Sequence, residues 1–173
     1  MRRTFSILFV CAGNTCRSPL AEAIFKAELA GRRTRKVLAS SAGTNVRPGD
    51  GTSRNAIAAA KALGVNLRWR SAKPLTATRV SRADLILTMT EAQKESVVER
   101  WPEARDRTAS ICRFSGSGRG GIKDPMGGPE SAYLECARVL RTETKRMMTR
   151  LSRTLKDRGT CDENCAGQRS RRA

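Results

Sequence analysis

Apolar residues fall along this chain in short runs that alternate with stretches of helical spacing. Phe5 to Val10 (FSILFV) is apolar or β-branched at all positions but Ser6 and ends at Cys11, the pattern of a strand covered on both faces. Beyond it Leu20, Ala23, Ile24 and Ala27 recur at helical spacing up to about Gly31. Ser18 is the expected N-cap of that helix and Pro19 its first residue. Val37 to Ala42 reads as a second strand, closed by Gly43 and a polar stretch holding Pro48, Gly49 and Gly51. A helix capped by Thr52 or Ser53 then carries Ile57, Ala60 and Leu63 and stops at Gly64. Ala83 to Met89 (ADLILTM) is a third buried strand, Thr90 to Trp101 a helix ended by Pro102, and Ala109 to Phe114 a fourth strand. The glycine-rich Ser115 to Pro129, SGSGRGGIKDPMGGP, shows little regular structure, and loops of that length are often functional. Glu130 to about Leu155 closes the pattern as a long helix, whose stripe of Cys136, Leu140, Met147, Leu151 and Leu155 reads as core.

Strands alternating with helices predict an α/β protein: a single three-layer domain with a four-stranded parallel twisted sheet and helices on both faces. Ligands in such folds bind beyond the carboxyl ends of the strands, where Cys11 lies. A length of 173 residues suits one domain, placed at 1–156. The tail, 157–173, is basic and nearly without apolar residues, so disorder is expected there.

Composition adds less than it first promises. The formal net charge of +18, from 34 Lys and Arg against 16 Asp and Glu, attracts anionic partners. Arginine is nevertheless scattered from Arg2 to Arg172, as a compositional bias with solvated faces also gives. A nucleic-acid-binding module is a second reading, resting on Arg138, Arg141, Lys145, Arg146 and Arg150, though no nucleic-acid motif and few aromatics accompany the charge. Only non-specific contact with nucleic acid is expected. No window resembles a membrane span or a signal peptide, so the expectation is a cytoplasmic protein without membrane partners. Cysteines 11, 16, 112, 136, 161 and 165 follow no disulfide-scaffold spacing, and histidine is absent. No cofactor or metal is therefore expected, and a metal or disulfide at Cys161 and Cys165 is a weak alternative.

The residues after the first strand carry the chemistry. Cys11 to Arg17 wraps between strand and helix, where backbone N–H groups and the helix dipole favour an anion. Gly13 and Asn14 tolerate the positive φ that such a loop needs, and Arg17 can grip two oxygens of a tetrahedral oxyanion. The same positive field favours Cys11 as thiolate, the nucleophilic form, and Ser18 can donate to that sulfur. Ala12, Gly13, Asn14, Thr15, Cys16 and Ser18 would complete the cradle. The bland alternative is an inert buried cysteine in an ordinary βα turn.

Val10 to Glu22 resembles the low-molecular-weight phosphotyrosine phosphatase signature, V-C-x-G-N-x-C-R-S-P-x-A-E. The likeness runs from about Phe5 to Leu155 and includes Ser40 to Thr44 (SSAGT), Ala83 to Met89 and Asp124-Pro125. The resemblance implies that Cys11 attacks phosphorus to form a cysteinyl-phosphate, that Arg17 holds the phosphoryl oxygens, and that Asp124 is the general acid and then the base. It implies no metal, and a supporting role for Asn14 and Ser41 in a hydrogen-bond network. The family often has a histidine after the second helix; this chain has Trp69 and Arg70 there. A carboxylic acid on a glycine-flanked loop also suits a poor leaving group, although a turn aspartate before proline looks the same. Cys16 is placed to form a reversible disulfide with Cys11 under oxidant, or simply to pack.

Phosphotyrosine-hydrolysing members tend to carry tyrosines just after Asp-Pro, whereas Met126, Gly127 and Gly128 follow here. Together with Thr15, that run resembles the protein-arginine-phosphatase branch, whose substrates carry phosphoarginine. Thr15 and Met126 are thus the candidate selectivity residues, since a hydroxyl can bond a guanidinium that an aliphatic side chain would leave unpaired. Phosphorylated protein would be the substrate and inorganic phosphate the product. Phosphotyrosine remains an alternative, with Thr15 only a small loop residue. Arsenate reduction is a further alternative needing resolving thiols, and Val80 to Gln93 holds none.

Overall fold

The computed structural model describes residues 4–30 and 37–167, with side chains as far as residue 153. Four parallel strands form one sheet: β1 (Phe5–Cys11), β2 (Val37–Gly43), β3 (Leu85–Thr88) and β4 (Thr108–Ser110). Their order across the sheet is β2-β1-β3-β4. The chain therefore steps one way from β1 to β2 and then crosses back past β1 to β3. The crevice where the direction reverses lies at the carboxyl end of β1, where open α/β sheets hold ligands.

Alternation along β1 divides the core. Ile7, Phe9 and Cys11 face helices α1 (Arg17–Leu29) and α6 (Glu130–Gly167), packing with Leu20, Ile24, Phe25, Leu140 and Met147. Leu8 and Val10 face the other way, toward Val80 of α3 (Ala77–Arg82), Val97 of α4 (Glu91–Arg100) and Trp101. Both faces of β1 are thus buried, as its unbroken apolar run requires. Helices α2 (Arg54–Ala62) and α5 (Ile111–Ser115) complete the layer that holds α1 and α6.

The expected stripe on α6 is core: Cys136, Leu140, Met147 and Leu151 are all buried. Three elements differ from expectation. The fourth strand occupies only Thr108–Ser110, and Ile111–Ser115 is helical. The Ser110 side chain accepts from Arg113 N (3.4 Å) and starts that helix, and so short a set of apolar positions, Ile111, Cys112 and Phe114, fits either structure. Helix α3 was not foreseen, because it buries one residue, Val80, and so leaves no periodicity to read. Helix α6 continues past the expected end near Leu155 to Gly167, into the segment expected to be disordered; no proline interrupts it. The side chains of Cys161 and Cys165, and all of residues 168–173, lie outside the described part.

Candidate active site

The loop between β1 and α1 is built so that its carbonyls turn outward. Thr44 N donates to Cys11 O (3.0 Å), Asn45 N to Ala12 O (2.9 Å) and Ser53 N to Thr15 O (2.9 Å). With those carbonyls occupied, the N–H groups from Gly13 to Ser18 donate to no acceptor among the described residues. Successive free N–H groups at a helix start form an anion-binding concavity. The turn passes through Asn14, whose φ of 54° is the one positive value at a described non-glycine residue. Gly43 lets β2 pass close by: a Cβ there would overlap the Ala12 carbonyl oxygen and stand 2.9 Å from Asn14 N.

Helix α1 starts two residues earlier than expected. Cys16 is its N-cap, with no side-chain cap, and Ser18 lies inside the first turn. The Ser18 hydroxyl is engaged elsewhere: it stands 3.0 Å from Cys11 Sγ and accepts from Asn14 Nδ2 at 2.9 Å. A side chain facing the sulfur is lost to capping, and the helix N-terminus stays open toward the loop centre.

The Asn14 side chain is fixed at both its polar atoms. Its Nδ2 donates to Ser18 and, at 2.9 Å, to Ser41 Oγ, while its Oδ1 accepts from Lys73 N at 2.8 Å. Ser41 also accepts from Arg70 NH2 at 2.9 Å, and Arg70 bonds both carboxylate oxygens of Glu22, at 3.0 and 2.5 Å. Lys26 Nζ reaches the same carboxylate at 2.6 Å. Burial alone would raise the Glu22 pKa, but the Arg70 and Lys26 contacts outweigh it and hold that carboxyl below its ordinary value. Sequence reasoning set Trp69 and Arg70 aside as a departure; Arg70 in fact joins this network, while Trp69 stays largely exposed.

Arg17 is 5 % exposed and reaches the acid loop. Its NH1 donates to Ile122 O (3.2 Å) and its NH2 to Asp124 Oδ2, while its buried Nε has no partner among the described residues. A buried guanidinium N–H without an acceptor is costly, and an oxyanion oxygen in the concavity would satisfy it. The loop bearing Asp124 is pinned where Ile122 N bonds Met89 O (2.8 Å) at the end of β3. Asp124 Oδ1 accepts from Met126 N (3.1 Å), and the Met126 side chain is exposed.

Cys11, Asn14, Thr15, Cys16, Arg17, Ser18 and Ser41 are thus brought together and buried, with Asp124 at their mouth, 44 % exposed. Thr15 Oγ1 lies 3.5 Å from Cys16 Sγ, which lies 3.4 Å from Ser53 Oγ. Tyr133, from α6, was missed. Its pKa is raised, first by burial and then by Cys16, with the charge of Asp124 adding to the rise and a hydrogen bond with Ser53 opposing it. Its side chain is buried. Its only sequence signal was a tyrosine one helical turn into α6.

Among the described residues, the two cysteines outside the cradle are poor reactants. Burial pushes Cys136 up to about 12. Burial and then Glu143 raise Cys112, which is fully enclosed on α5 and so unsuited to resolve a disulfide. Much of the basic face of α6 is engaged within the protein: Arg141 Nε bonds Glu28 at 2.8 Å, and the Arg150 guanidinium lies 5.6 Å from the Phe114 ring centroid. Among the described residues there is no cluster of three His, Cys, Asp or Glu side chains fit for a metal, and no helix long and apolar enough to cross a membrane.

Comparison with known proteins agrees with this geometry. A protein-arginine-phosphatase of Geobacillus stearothermophilus is 36% identical over 151 residues, covering 87% of this chain and 96% of that protein. A probable low molecular weight protein-tyrosine-phosphatase, EpsP of Ralstonia nicotianae, is 34% identical over 78% of this chain and 88% of its own length. The solved YwlE arginine phosphatase of Geobacillus stearothermophilus superposes with a TM-score of 0.79 at 33% identity, over 88% of this chain and 96% of that one. The profile of the low molecular weight phosphotyrosine protein phosphatases matches residues 6–157, and the chain belongs to that family of phosphatases.

Proposed function

We propose that this phosphatase hydrolyses phosphoarginine on proteins through a cysteinyl-phosphate on Cys11. The observation that carries the chemistry is the buried Arg17 Nε without a partner, beside a ring of free N–H groups and a sulfur 3.0 Å from the Ser18 hydroxyl. Three non-bridging phosphoryl oxygens fit those donors, and the thiolate below them faces phosphorus in line with the leaving atom. As the phosphoryl oxygens take over Arg17, the Asp124 carboxyl is released to the mouth. No longer paired with Arg17, the carboxylate takes up a proton from solvent there and, as the acid, gives it to the leaving nitrogen as the P–N bond breaks and the S–P bond forms. Asp124, now a carboxylate, takes a proton from water, which attacks phosphorus, breaks the S–P bond and frees phosphate with the Cys11 thiolate restored. Ala12, Gly13, Asn14, Thr15, Cys16 and Ser18 form the cradle, and Ser41 supports it.

The choice of phosphoarginine is supported by Thr15, whose hydroxyl lies in the cradle, and by the lack of an aromatic wall beside Asp124, where exposed Met126 is followed by Gly127 and Gly128. A phenyl ring gains most from packed aromatic surface, whereas a guanidinium needs acceptors such as Thr15 Oγ1 and the Asp124 carboxylate. The similarity to proteins described as arginine phosphatases agrees. The substrates are proteins of the cytoplasm, where the free Cys11, Cys16, Cys112 and Cys136 stay reduced. The test is kcat/KM on matched phosphoarginine and phosphotyrosine peptides, with Cys11→Ser as control. A higher value for phosphoarginine, abolished in the control, supports the reading; a higher value for phosphotyrosine overturns the substrate assignment.

A further inference from the structure

The chain from the last residue of α5 toward Asp124 passes through Ser115 to Gly121, SGSGRGG. Four of these seven residues are glycine, so only Ser115, Ser117 and Arg119 offer side chains to fasten a stretch that is costly to order. Ser117 turns back onto α5, its N and Oγ both donating to Cys112 O, at 3.2 and 3.3 Å. The other two meet at one carboxylate on α6. Ser115 Oγ lies 3.0 Å from that Cys112 carbonyl but also against Glu143 Oε2, the stronger acceptor for its single proton. Arg119 Nε stands 3.5 Å from Glu143 Oε1, and Arg146, nearly one turn along α6, lies 3.9 Å from the same oxygen.

Glu143 is fully buried, and its Oε1 makes no hydrogen bond among the described residues. For stability alone, an apolar side chain of similar volume serves as well as a buried carboxylate or better. What the carboxylate does is hold the approach to the acid. Beyond Gly121 the chain is fixed again where Ile122 N bonds Met89 O at 2.8 Å. Asp124 itself is bonded to Arg17, and a phosphoryl group that occupies Arg17 removes that bond. The position of the acid then rests on the fastenings along its own chain, and Glu143 supplies those upstream of it. We infer that Glu143 is a positioning residue for Asp124, gripping through Ser115 and Arg119 the glycine-rich chain that carries the acid to the mouth. The inference rests on the reading of Asp124 as general acid.

The test compares kcat/KM on a nitrophenyl phosphate, whose anion leaves readily, with kcat/KM on phenyl phosphate, whose anion leaves poorly and depends on the acid. Arg119→Ala removes an exposed side chain, and Glu143→Leu replaces the buried carboxylate by an apolar group. We expect the phenyl-to-nitrophenyl ratio to fall about fivefold or more in each, with the inhibition constant of inorganic phosphate within about threefold of the parent. Neither change should lower the ratio further in an Asp124→Asn background, because the group they position is already gone. A parent-like ratio in Arg119→Ala overturns the inference, and this variant decides alone if Glu143→Leu fails to fold. An equal fall on both substrates, or a further fall in the Asp124→Asn background, also overturns it by reducing Glu143 to general support of the fold. If Asp124→Asn itself leaves the ratio unchanged, the acid reading fails and the inference falls with it.

Discussion

The Asp124 carboxylate is bonded to the Arg17 guanidinium, the group that in the proposed mechanism also grips the phosphoryl oxygens. One cation thus serves two anions in turn. An entering phosphoryl group brings more negative charge to Arg17 than Asp124 does and competes for its N–H donors. In that mechanism the carboxylate is freed when a substrate is present, and can then take up a proton and pass it to the leaving group.

Asp124→Asn keeps the shape of this contact but has no proton to transfer. Turnover of phosphoarginine peptide should fall about 10²-fold or more. Binding of inorganic phosphate should be unchanged or tighter, because a negative charge at the mouth has been removed. Steady-state kinetics with phosphate as competitive inhibitor measure both, and equal turnover in variant and parent would remove Asp124 from the mechanism.

Thr15 is 9 % exposed and its Oγ1 lies 3.5 Å from Cys16 Sγ; under the proposed substrate reading that hydroxyl meets the polar leaving group. Thr15→Ile should lower kcat/KM for phosphoarginine relative to phosphotyrosine by about 10-fold or more, since an unpaired buried donor costs ~1 to 3 kcal/mol. The ratio of the two kcat/KM values is the readout, and an unchanged ratio would detach Thr15 from selectivity.

The parts of this site carried by local chemistry were legible from residues alone. Cys11 ends an apolar run, Asn14 sits where the turn needs positive φ, and Arg17 opens the helix. What escaped was held together by distance in sequence. Arg70 meets Glu22 and Ser41 across 48 and 29 positions, contacts that no local pattern encodes. Tyr133 was invisible for the same reason, since its approach to Cys16 depends on how α6 packs. The fold errors were of another kind: α3 and β4 are too short to display a period, so turn and cap chemistry decided them.

Thiol reactivity should separate the cysteines by place. Burial holds the Cys136 thiol up to about 12 and raises that of Cys112, so both stay protonated and shielded near neutral pH. Brief treatment of the native protein with iodoacetamide, followed by peptide mass mapping, should label Cys11 and leave Cys112 and Cys136 unmodified. Inorganic phosphate should protect Cys11. Rapid labelling of Cys136 in the native protein would contradict its burial in the core.

Glu22 links this site to acid stability. Its carboxyl is held below the ordinary value of 4.5, because Arg70 and Lys26 outweigh the burial that opposes them. A folded-state value below the unfolded one means that the unfolded chain binds the proton more readily. Glu22 therefore contributes stability that is complete above 4.5 and is lost as pH falls through its lower folded value. Glu22→Gln removes that dependence. Urea midpoints measured from about pH 7 to about pH 3 should show the variant less stable than the parent at neutral pH, with the difference shrinking toward the acid end. A gap of constant size across the range would show that Glu22 contributes packing rather than a titrating charge.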